Sequence, residues 1–378
     1  MHLMDFRNYA EAYVELGPGV NTVVGRNGQG KTNLLEAIYV LSAVGSYRAP
    51  NNAALVRHEA ERAVLRAAAR SHDRDIEIAA EIRRAGGIRL LLNRVPLERA
   101  REMEGMLGAV LFSPEDLALV KGGPEERRRY LDHAAARGRP SVAARRQELD
   151  RALKQRNGVL RAAQVNKRAL RTLEVWDEQL TQIGAAVVCS RMKVLRALRP
   201  RIARRHSEVG AAMSGEIELT YQALWLEGEV LPAESGLLAG TGDDALTRAL
   251  EASLGAALAK ALERDIERGV TTTGPHRDDL ELRLAGAEAR TFASQGEQRS
   301  IALALRLAER DLAADVLGED PVLLLDDVFS ELDEARRAQL SALIRSTGQA
   351  VVTTTHLAGR EEGDRIYEVE AGVIREVA

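Results

Sequence analysis

The chain has 378 residues, enough to bury one large core or two moderate ones, so two domains are expected. Its 45% apolar and 29% charged content is that of a soluble globular protein, and no run approaches about 18 uncharged apolar residues, so neither a membrane span nor a secretion signal is expected. The net charge of −3 conceals an asymmetry: residues 121–205 hold 22 Lys and Arg against 8 Asp and Glu, leaving 31 basic and 48 acidic residues elsewhere. A basic segment in an acidic chain points to a polyanion docking on one region only, although arginine-rich helices can also be merely soluble ones. The one cysteine, Cys189, cannot form an internal disulfide, which fits a reducing cytosol. Its apolar-leaning surroundings mark it as a buried, inert thiol.

In chain order, residues 3–9 and 12–16 alternate weakly and read as strands. Val20 to Val24 is a short strand feeding a glycine-rich loop, and Leu34, Leu35, Ala37, Ile38 and Leu41 then recur at helical spacing. Ala63 to Ala69, Asp75 to Ile82 and Ile88 to Leu92 predict further strands, with turns at Ala85-Gly86-Gly87 and Asn93 to Pro96. Val110-Leu111-Phe112 reads as a buried strand closed by Ser113-Pro114-Glu115-Asp116, where Ser113 is placed to cap a helix with Pro114 at its first position. From Glu125 to about Val209 the pattern is helical. A helix from Val142 to about Ala163 can pair antiparallel with a long one striped by Trp176, Leu180, Ile183, Val187, Val194, Leu198 and Ile202, with a kink expected at Pro200. Ile217 to Trp225 alternates as a strand, Leu246 to Ile266 steps by four along another helix, and Leu280, Leu282 and Leu284 return the chain to strand. A mainly helical domain over 113–269 is therefore expected as an insert in an α/β head made of 1–112 and 270–378.

The glycine-rich loop is Gly25-Arg26-Asn27-Gly28-Gln29-Gly30-Lys31-Thr32, a complete P-loop between strand and helix. Its backbone N–H groups and the following helix N-terminus suit phosphates, Lys31 adds a point charge at the β/γ oxygens, and Thr32 offers its hydroxyl to Mg²⁺. The run Val322-Leu323-Leu324-Leu325 ends in Asp326-Asp327, with Asp333 just beyond. Taken alone, an acid pair after apolar residues is a solvated strand end. With a P-loop in the chain, Asp326 is read as holding Mg²⁺ and Asp327 as orienting the attacking water. Most ABC ATPases carry Glu at the second place, so Asp327 suggests slow turnover. Ser294-Gln295-Gly296-Glu297-Gln298 opens a helical stretch about 30 residues before the acid pair and resembles the ABC signature Leu-Ser-Gly-Gly-Gln, keeping Ser294 and Gly296 but departing at Gln295 and Glu297. His356, after a β-branched strand, falls where ABC ATPases place a histidine on the γ-phosphate.

Together these pieces resemble the RecF family of bacterial recombination-mediator ATPases, relatives of SMC and Rad50 heads. The resemblance runs over nearly the whole chain: Phe6-Arg7-Asn8-Tyr9, Gly25 to Tyr39, Pro114 to Leu117, Gly122-Gly123-Pro124 with Arg127 to Asp132, Leu153 to Asn157, Gly274-Pro275-His276-Arg277-Asp278-Asp279, Ser294 to Glu309, and Leu323 to Asp333. It implies an α/β fold, an ABC-type (SMC/Rad50-like) P-loop ATPase head with an inserted mainly helical second domain. It further implies a cytoplasmic protein that binds ATP and Mg²⁺, forms an ATP-dependent homodimer and binds DNA. Such a protein acts with RecO and RecR to load RecA at gaps, in repair, replication and the SOS response. The DNA-contacting candidates are Arg127, Arg128 and Arg129 at the base of the insert and Arg145, Arg151 and Lys154 further along it. No Q-loop glutamine falls between Gly105 and Gly123, and the family's first strand usually begins several residues before the equivalent of Leu3, which points to numbering from an internal Met. The competing reading, a transporter-type ABC ATPase subunit, is disfavoured by Asp327, the altered signature and the basic insert. A purely structural SMC-like tether needs a longer coiled coil than this insert provides.

Overall fold

The computed structural model describes residues 1–43, 45–49, 51–103, 106–137, 139–209, 215–226, 243–329, 334–355 and 364–377. Contacts divide the chain into two units. The first comprises Met1–Asp116, Arg204–Ala212 and Arg299–Ala378, and the second Leu117–Ala203 and Met213–Gln298.

The first unit contains two six-stranded sheets. One is antiparallel, formed by β1 (His2–Phe6), β2 (Tyr9–Tyr13), β4 (Arg62–Ser71), β5 (Arg74–Arg83), β6 (Ile88–Leu92) and β7 (Val95–Pro96) in the order β2-β1-β4-β5-β6-β7. The other contains β3 (Val20–Val24), β8 (Ala109–Phe112), β12 (Val322–Leu325), β13 (Ala350–Thr354), β14 (Arg365–Glu370) and β15 (Val373–Glu376), ordered β15-β14-β3-β13-β12-β8. Within it β14, β3, β13, β12 and β8 run parallel, and only β15 is antiparallel. Parallel strands covered on both faces lose the polar alternation of half-exposed ones, and all five residues of β13 are accordingly buried. Leu325 pairs with both Val352 and Phe112, and Thr354 with Val24, so the carboxyl ends of β3, β13, β12 and β8 finish side by side. That edge is where parallel α/β sheets present ligands. The helix after β3, Lys31–Ala43, buries Leu34, Leu35, Ala37, Ile38, Val40 and Leu41 in a core that also holds Leu3, Phe6, Leu65, Ile78, Leu324 and Tyr367.

The second unit contains the helices Pro124–Ala136, Pro140–Val165 and Asp243–Arg268, most of Leu173–Val209, and a sheet ordered β11-β10-β9 (Ala287–Glu288, Asp279–Leu284, Ile217–Gln222). The stepped leucines meet in one core: Leu149, Leu180, Val187, Val188, Leu246, Leu250, Leu254 and Leu258, with Cys189 buried among them as a free thiol. Leu173–Val209 is assigned as one helix with Pro200 inside it, not as two helices broken there. Residues 270–298 pack in this unit, although the sequence pattern has the head resume at 270. The reason is long-range pairing: β10 matches β9 over six positions, and Asp279 forms a bidentate pair with Arg127 at 2.7 and 2.9 Å.

The buried arginines described in this unit are each paired with carboxylates. Arg191, fully buried, binds Asp132 at 2.6 and 2.9 Å and donates to the Pro275 carbonyl at 2.8 Å. Arg156, equally buried, reaches Asp177 at 2.6 Å, Asp265 at 2.7 Å and the Thr271 hydroxyl at 3.0 Å. The run Gly274 to Asp279 is the hub of this network. Gly274 takes φ +126°, a conformation costly for any side chain. Asp278 accepts from the Tyr221 hydroxyl at 2.6 Å and the Trp225 indole at 2.8 Å. Burial outweighs those hydrogen bonds and the charge of Arg191, and pushes the Asp278 carboxyl up to about 6.

Removing one partner of such a pair leaves an uncompensated buried ion. Asp132→Ala is expected to destabilise the protein by about 3–5 kcal/mol, read as a lower urea midpoint. A midpoint equal to wild type would show that Arg191 does not depend on Asp132.

Candidate nucleotide-binding site

The P-loop runs from the end of β3 into the helix Lys31–Ala43 and is fixed by the first turn of the chain. The Tyr9 hydroxyl donates to the Gly30 carbonyl at 2.9 Å, and Asn8 Nδ2 to the Gln29 carbonyl at 2.7 Å. From the other side, Gln29 Oε1 accepts from the Ala371 N–H at 2.6 Å. The loop leaves no room for side chains at two glycines: a Cβ on Gly30, at φ +122°, would lie 2.7 Å from Asn8 Nδ2, and one on Gly25 would lie 2.4 Å from the Val369 carbonyl oxygen. Arg26, Asn27 and Gly28 face solvent.

Lys31 Nζ donates to the carbonyls of Gly25 and Arg26 at 2.6 and 3.1 Å. Burial pulls the Lys31 ammonium below its usual range, against the opposing charges of Asp327 and Asp326. An ammonium folded onto its own loop in this way is ready to exchange carbonyls for phosphate oxygens.

Asp326 is 6% exposed, and its Oδ1 accepts from the Thr32 hydroxyl at 2.9 Å and the Thr353 hydroxyl at 2.7 Å. The Thr353 hydroxyl in turn accepts from the Asp327 N–H at 2.9 Å. Asp327 sits at φ +48°, in the left-handed region, so the backbone turns sharply where the strand ends. One hydroxyl and one carboxylate beside a phosphate loop fit Mg²⁺, which takes few protein ligands and keeps several waters. Burial raises the Asp326 carboxyl, with the charge of Glu115 adding to it, and hydrogen bonds from Thr353 and Thr32 and the charge of Arg48 only partly offset the rise.

A supporting pair lies behind the loop. Arg7 grips the fully buried Glu36 with two bonds of 2.7 Å, and Arg48 adds another at 2.9 Å while also donating to Asn33 at 2.6 Å. Burial alone would raise the Glu36 carboxyl, but hydrogen bonds from Arg7, Ser46 and Arg48 and the charge of Arg48 hold it below the usual carboxylate range. Phe6-Arg7-Asn8-Tyr9 had counted in the sequence only as part of a resemblance. Its role in bracing the P-loop, and those of Glu36, Arg48 and Thr353, carry no local motif; a hydroxyl residue at the end of the strand before His356 was the nearest signal.

In the second unit, Ser294 opens the helix Gln295–Leu317 with reciprocal bonds: its N–H donates to Glu297 Oε2 at 2.7 Å, and its hydroxyl accepts from the Glu297 N–H at 3.3 Å. This is a capping box, so the glutamate that departs from the usual signature satisfies the helix end, with Gly296 in the first turn. Asp333 and His356 lie outside the described residues.

Among the basic candidates, Arg127 is 6% exposed and committed to Asp279, so it holds the fold and is withdrawn from the DNA-contacting set. Arg128 is half-buried and donates to the Asp278 carbonyl at 2.6 Å. Arg129 is exposed but paired with Glu125 and Glu126. Arg151 and Lys154 are exposed and Arg145 partly so, all on Pro140–Val165. Similarly, Ser113 does not cap with its hydroxyl: Asp116 Oδ2 returns to the Ser113 N–H at 2.8 Å, over a 3₁₀ turn Pro114–Leu117.

A P-loop after β3, an acid pair after the parallel β12 and a signature-like capped helix define an ATP-binding head of the ABC type. A family model described as the RecF/RecN/SMC N terminal domain matches residues 1–374, and the chain belongs to that family, within its RecF branch. It is 44% identical over 365 residues to the DNA replication and repair protein RecF of Beutenbergia cavernae, covering 93% of this chain and 91% of that one. To RecF of Kineococcus radiotolerans it is 41% identical, covering 99% and 98%. A solved structure of the recombination mediator protein RecF with ATP in the RecFOR pathway superposes with a TM-score of 0.87 at 29% identity, over 100% of this chain and 96% of that one. The Smc head of Pyrococcus furiosus shares the fold, with a TM-score of 0.53 at 18% identity, over 100% of this chain and 94% of that one.

The raised Asp326 carboxyl has a consequence for stability. A folded-state value above the unfolded one means that the native state binds the proton more tightly, so stability falls as pH rises through that window, and the cost persists above it. Asp326→Asn removes the charge and keeps an oxygen for both hydroxyls. Without nucleotide, the variant is expected to melt higher than wild type at pH 7 and to converge with it near pH 4. A lower melting temperature at pH 7 would contradict the assignment.

Proposed function

We propose that the chain is an ATP-switched, DNA-binding recombination mediator of the RecF kind. The observation that carries the reading is the linked set Thr32, Asp326 and Thr353 beside a braced P-loop, in a chain more than 40% identical to RecF proteins over most of its length. In this reading Lys31 and the P-loop N–H groups hold the phosphates, Thr32 and Asp326 hold Mg²⁺ and its waters, and Asp327 orients the attacking water. Mg²⁺, when bound, neutralises charge developing on the β- and γ-oxygens. Asp327 is one methylene shorter than the usual glutamate, which supports weak hydrolysis suited to timing a state rather than driving a motor.

Ser294 and Gly296 act on ATP held by a second copy, so ATP makes a two-fold dimer with two composite sites. Asp333 and His356 complete each site, and the protein works in the cytoplasm. The basic residues Arg145, Arg151 and Lys154, with Arg128 and Arg129 beside them, meet DNA phosphates with little regard to sequence, because aromatic residues for base stacking are scarce in that segment. The dimer binds at gaps or junctions and, with RecO and RecR, assists RecA loading in repair, replication and the SOS response.

Light scattering tests the switch. ATP with Mg²⁺ should raise the mass from 41.2 kDa to about twice that value, and Ser294→Arg should abolish the shift while leaving ATP binding to the monomer intact. A dimer equally abundant in Ser294→Arg removes the composite site. For DNA, neutralising about six phosphates gives a slope of log affinity on log salt near −5, and charge reversal at Arg145 and Arg151 should flatten it. An unchanged slope would move the contacts off this helix.

A further inference from the structure

From Arg151 to Thr172 the chain carries seven basic residues and no acidic one. Arg156 is buried, but Arg151, Lys154, Arg161, Lys167, Arg168 and Arg171 are exposed, and none of these has an ion pair among the described residues. Nearer the base of the same segment the arginines are paired, Arg129 with Glu125 and Glu126, and Arg146 with Asp132 and Asp150. In the helix Pro140–Val165, Leu149, Leu153, Arg156, Leu160 and Ala163 recur at helical spacing and are buried. Arg151, Lys154, Gly158 and Arg161 follow one another in steps of three and four, so they form a single outward stripe. Lys167, Arg168 and Arg171 come at the helix end, on the 3₁₀ turn Lys167–Thr172, where the Asn166 side chain accepts from the Arg168 N–H at 3.0 Å.

Gly158, in the middle of that stripe, is a glycine that its own fold does not require. Glycine is the poorest helix former after proline, and here it sits in a helix interior. A Cβ at Gly158 would meet nothing within 4 Å, so no packing inside the chain demands its absence. Flexibility is not its use either, because the helix is pinned on both sides of it. Arg156 is held by Asp177, Asp265 and Thr271, and Asn157 accepts from the Thr271 N–H and hydroxyl at 2.7 Å each. Gln164 Nε2 donates to the carbonyls of Ile266 and Glu267 at 3.0 and 2.9 Å. A bare backbone position on a pinned helix leaves room for a close approach from outside.

We propose that a nucleic-acid phosphodiester strand lies along this stripe and passes closest at Gly158. Arg151, Lys154 and Arg161 meet its phosphates along the helix, and Lys167, Arg168 and Arg171 meet those at the helix end. The inference rests on the DNA-binding reading above and gives it a track and a point of closest approach. From Arg151 to Arg161 the helix rises about 15 Å, the axial length over which one strand of a duplex carries about four phosphates. The surroundings favour a phosphate strand over a protein partner, since protein interfaces are depleted of charge at their cores. The exposed neighbours of Gly158 on this side are Lys154, Gln155, Arg161 and Ala162, and only the smallest of them is apolar.

The test is binding of a fluorescent duplex by the full chain with ATP and Mg²⁺, read by anisotropy over a range of salt. Gly158→Leu places a better helix former in open space, so the variant should melt no lower than wild type. By filling the closest approach it should nevertheless weaken DNA binding by about tenfold or more. Arg161→Gln combined with Arg168→Gln should make the slope of log affinity on log salt less negative by about 2. ATP affinity should match wild type in both variants. Wild-type DNA affinity in Gly158→Leu, or an unchanged slope in the double variant, overturns the inference and leaves the stripe to an acidic protein partner, with the DNA-binding reading standing on other residues. A wild-type chain that binds no duplex with ATP overturns that reading as well.

Discussion

The Asp326 carboxylate is the point on which the head is organised. It ends β12, takes hydroxyls from the P-loop helix and from β13, and through Thr353 also fixes the backbone of Asp327. Three separated stretches of sequence thus meet on one buried charge. A carboxylate removed from water without a cation is costly, and two neutral hydroxyls offset only part of that cost, as the raised Asp326 carboxyl records. The fold therefore holds a buried charge that a bound cation would relieve, and a ligand that binds only the folded state stabilises it.

The rest of the head holds that point still. Parallel strands buried on both faces set the register of β12 and β13, while the Arg7–Glu36–Arg48 cluster and the bonds from Asn8 and Tyr9 fix the phosphate loop. In the second unit buried arginines do the comparable work. Arg127, Arg156 and Arg191 account for part of the basic surplus in residues 121–205, yet each is sequestered by carboxylates. The surplus therefore overstates the basic surface, and what is left for a polyanion is concentrated on exposed positions such as Arg151 and Lys154.

Elements with strong periodicity were legible from sequence. The leucines stepping by four from Leu246 give the helix Asp243–Arg268, and the apolar run before Asp326 gives β12. The P-loop and acid pair stand out in sequence because phosphate and Mg²⁺ chemistry restricts residue type and spacing, and the structure joins them through the Thr32–Asp326 hydrogen bond. Arg127 was grouped with Arg128 and Arg129 as a DNA-contacting candidate because consecutive arginines look alike in sequence; its pairing with Asp279, about 150 residues away, distinguishes it as buried. The grouping of residues 270–298 with the helical segment is likewise without a local mark, since the pairing of β10 with β9 is long-range. Glu297 appeared as a departure from a signature and proved to be the N3 residue of a capping box, a local rule masked by the expectation of a family motif.

In the proposed function, nucleotide bound at the Asp326 site governs DNA binding elsewhere in the protein. The most direct measurement is the affinity of the full chain for a fluorescent duplex at fixed salt, titrated with ATP and Mg²⁺, with ADP and Mg²⁺, and without nucleotide. Binding is expected to be clearly tighter with ATP than in the other two conditions, and that difference to be lost in Lys31→Ala. Equal affinity in all three conditions would contradict it.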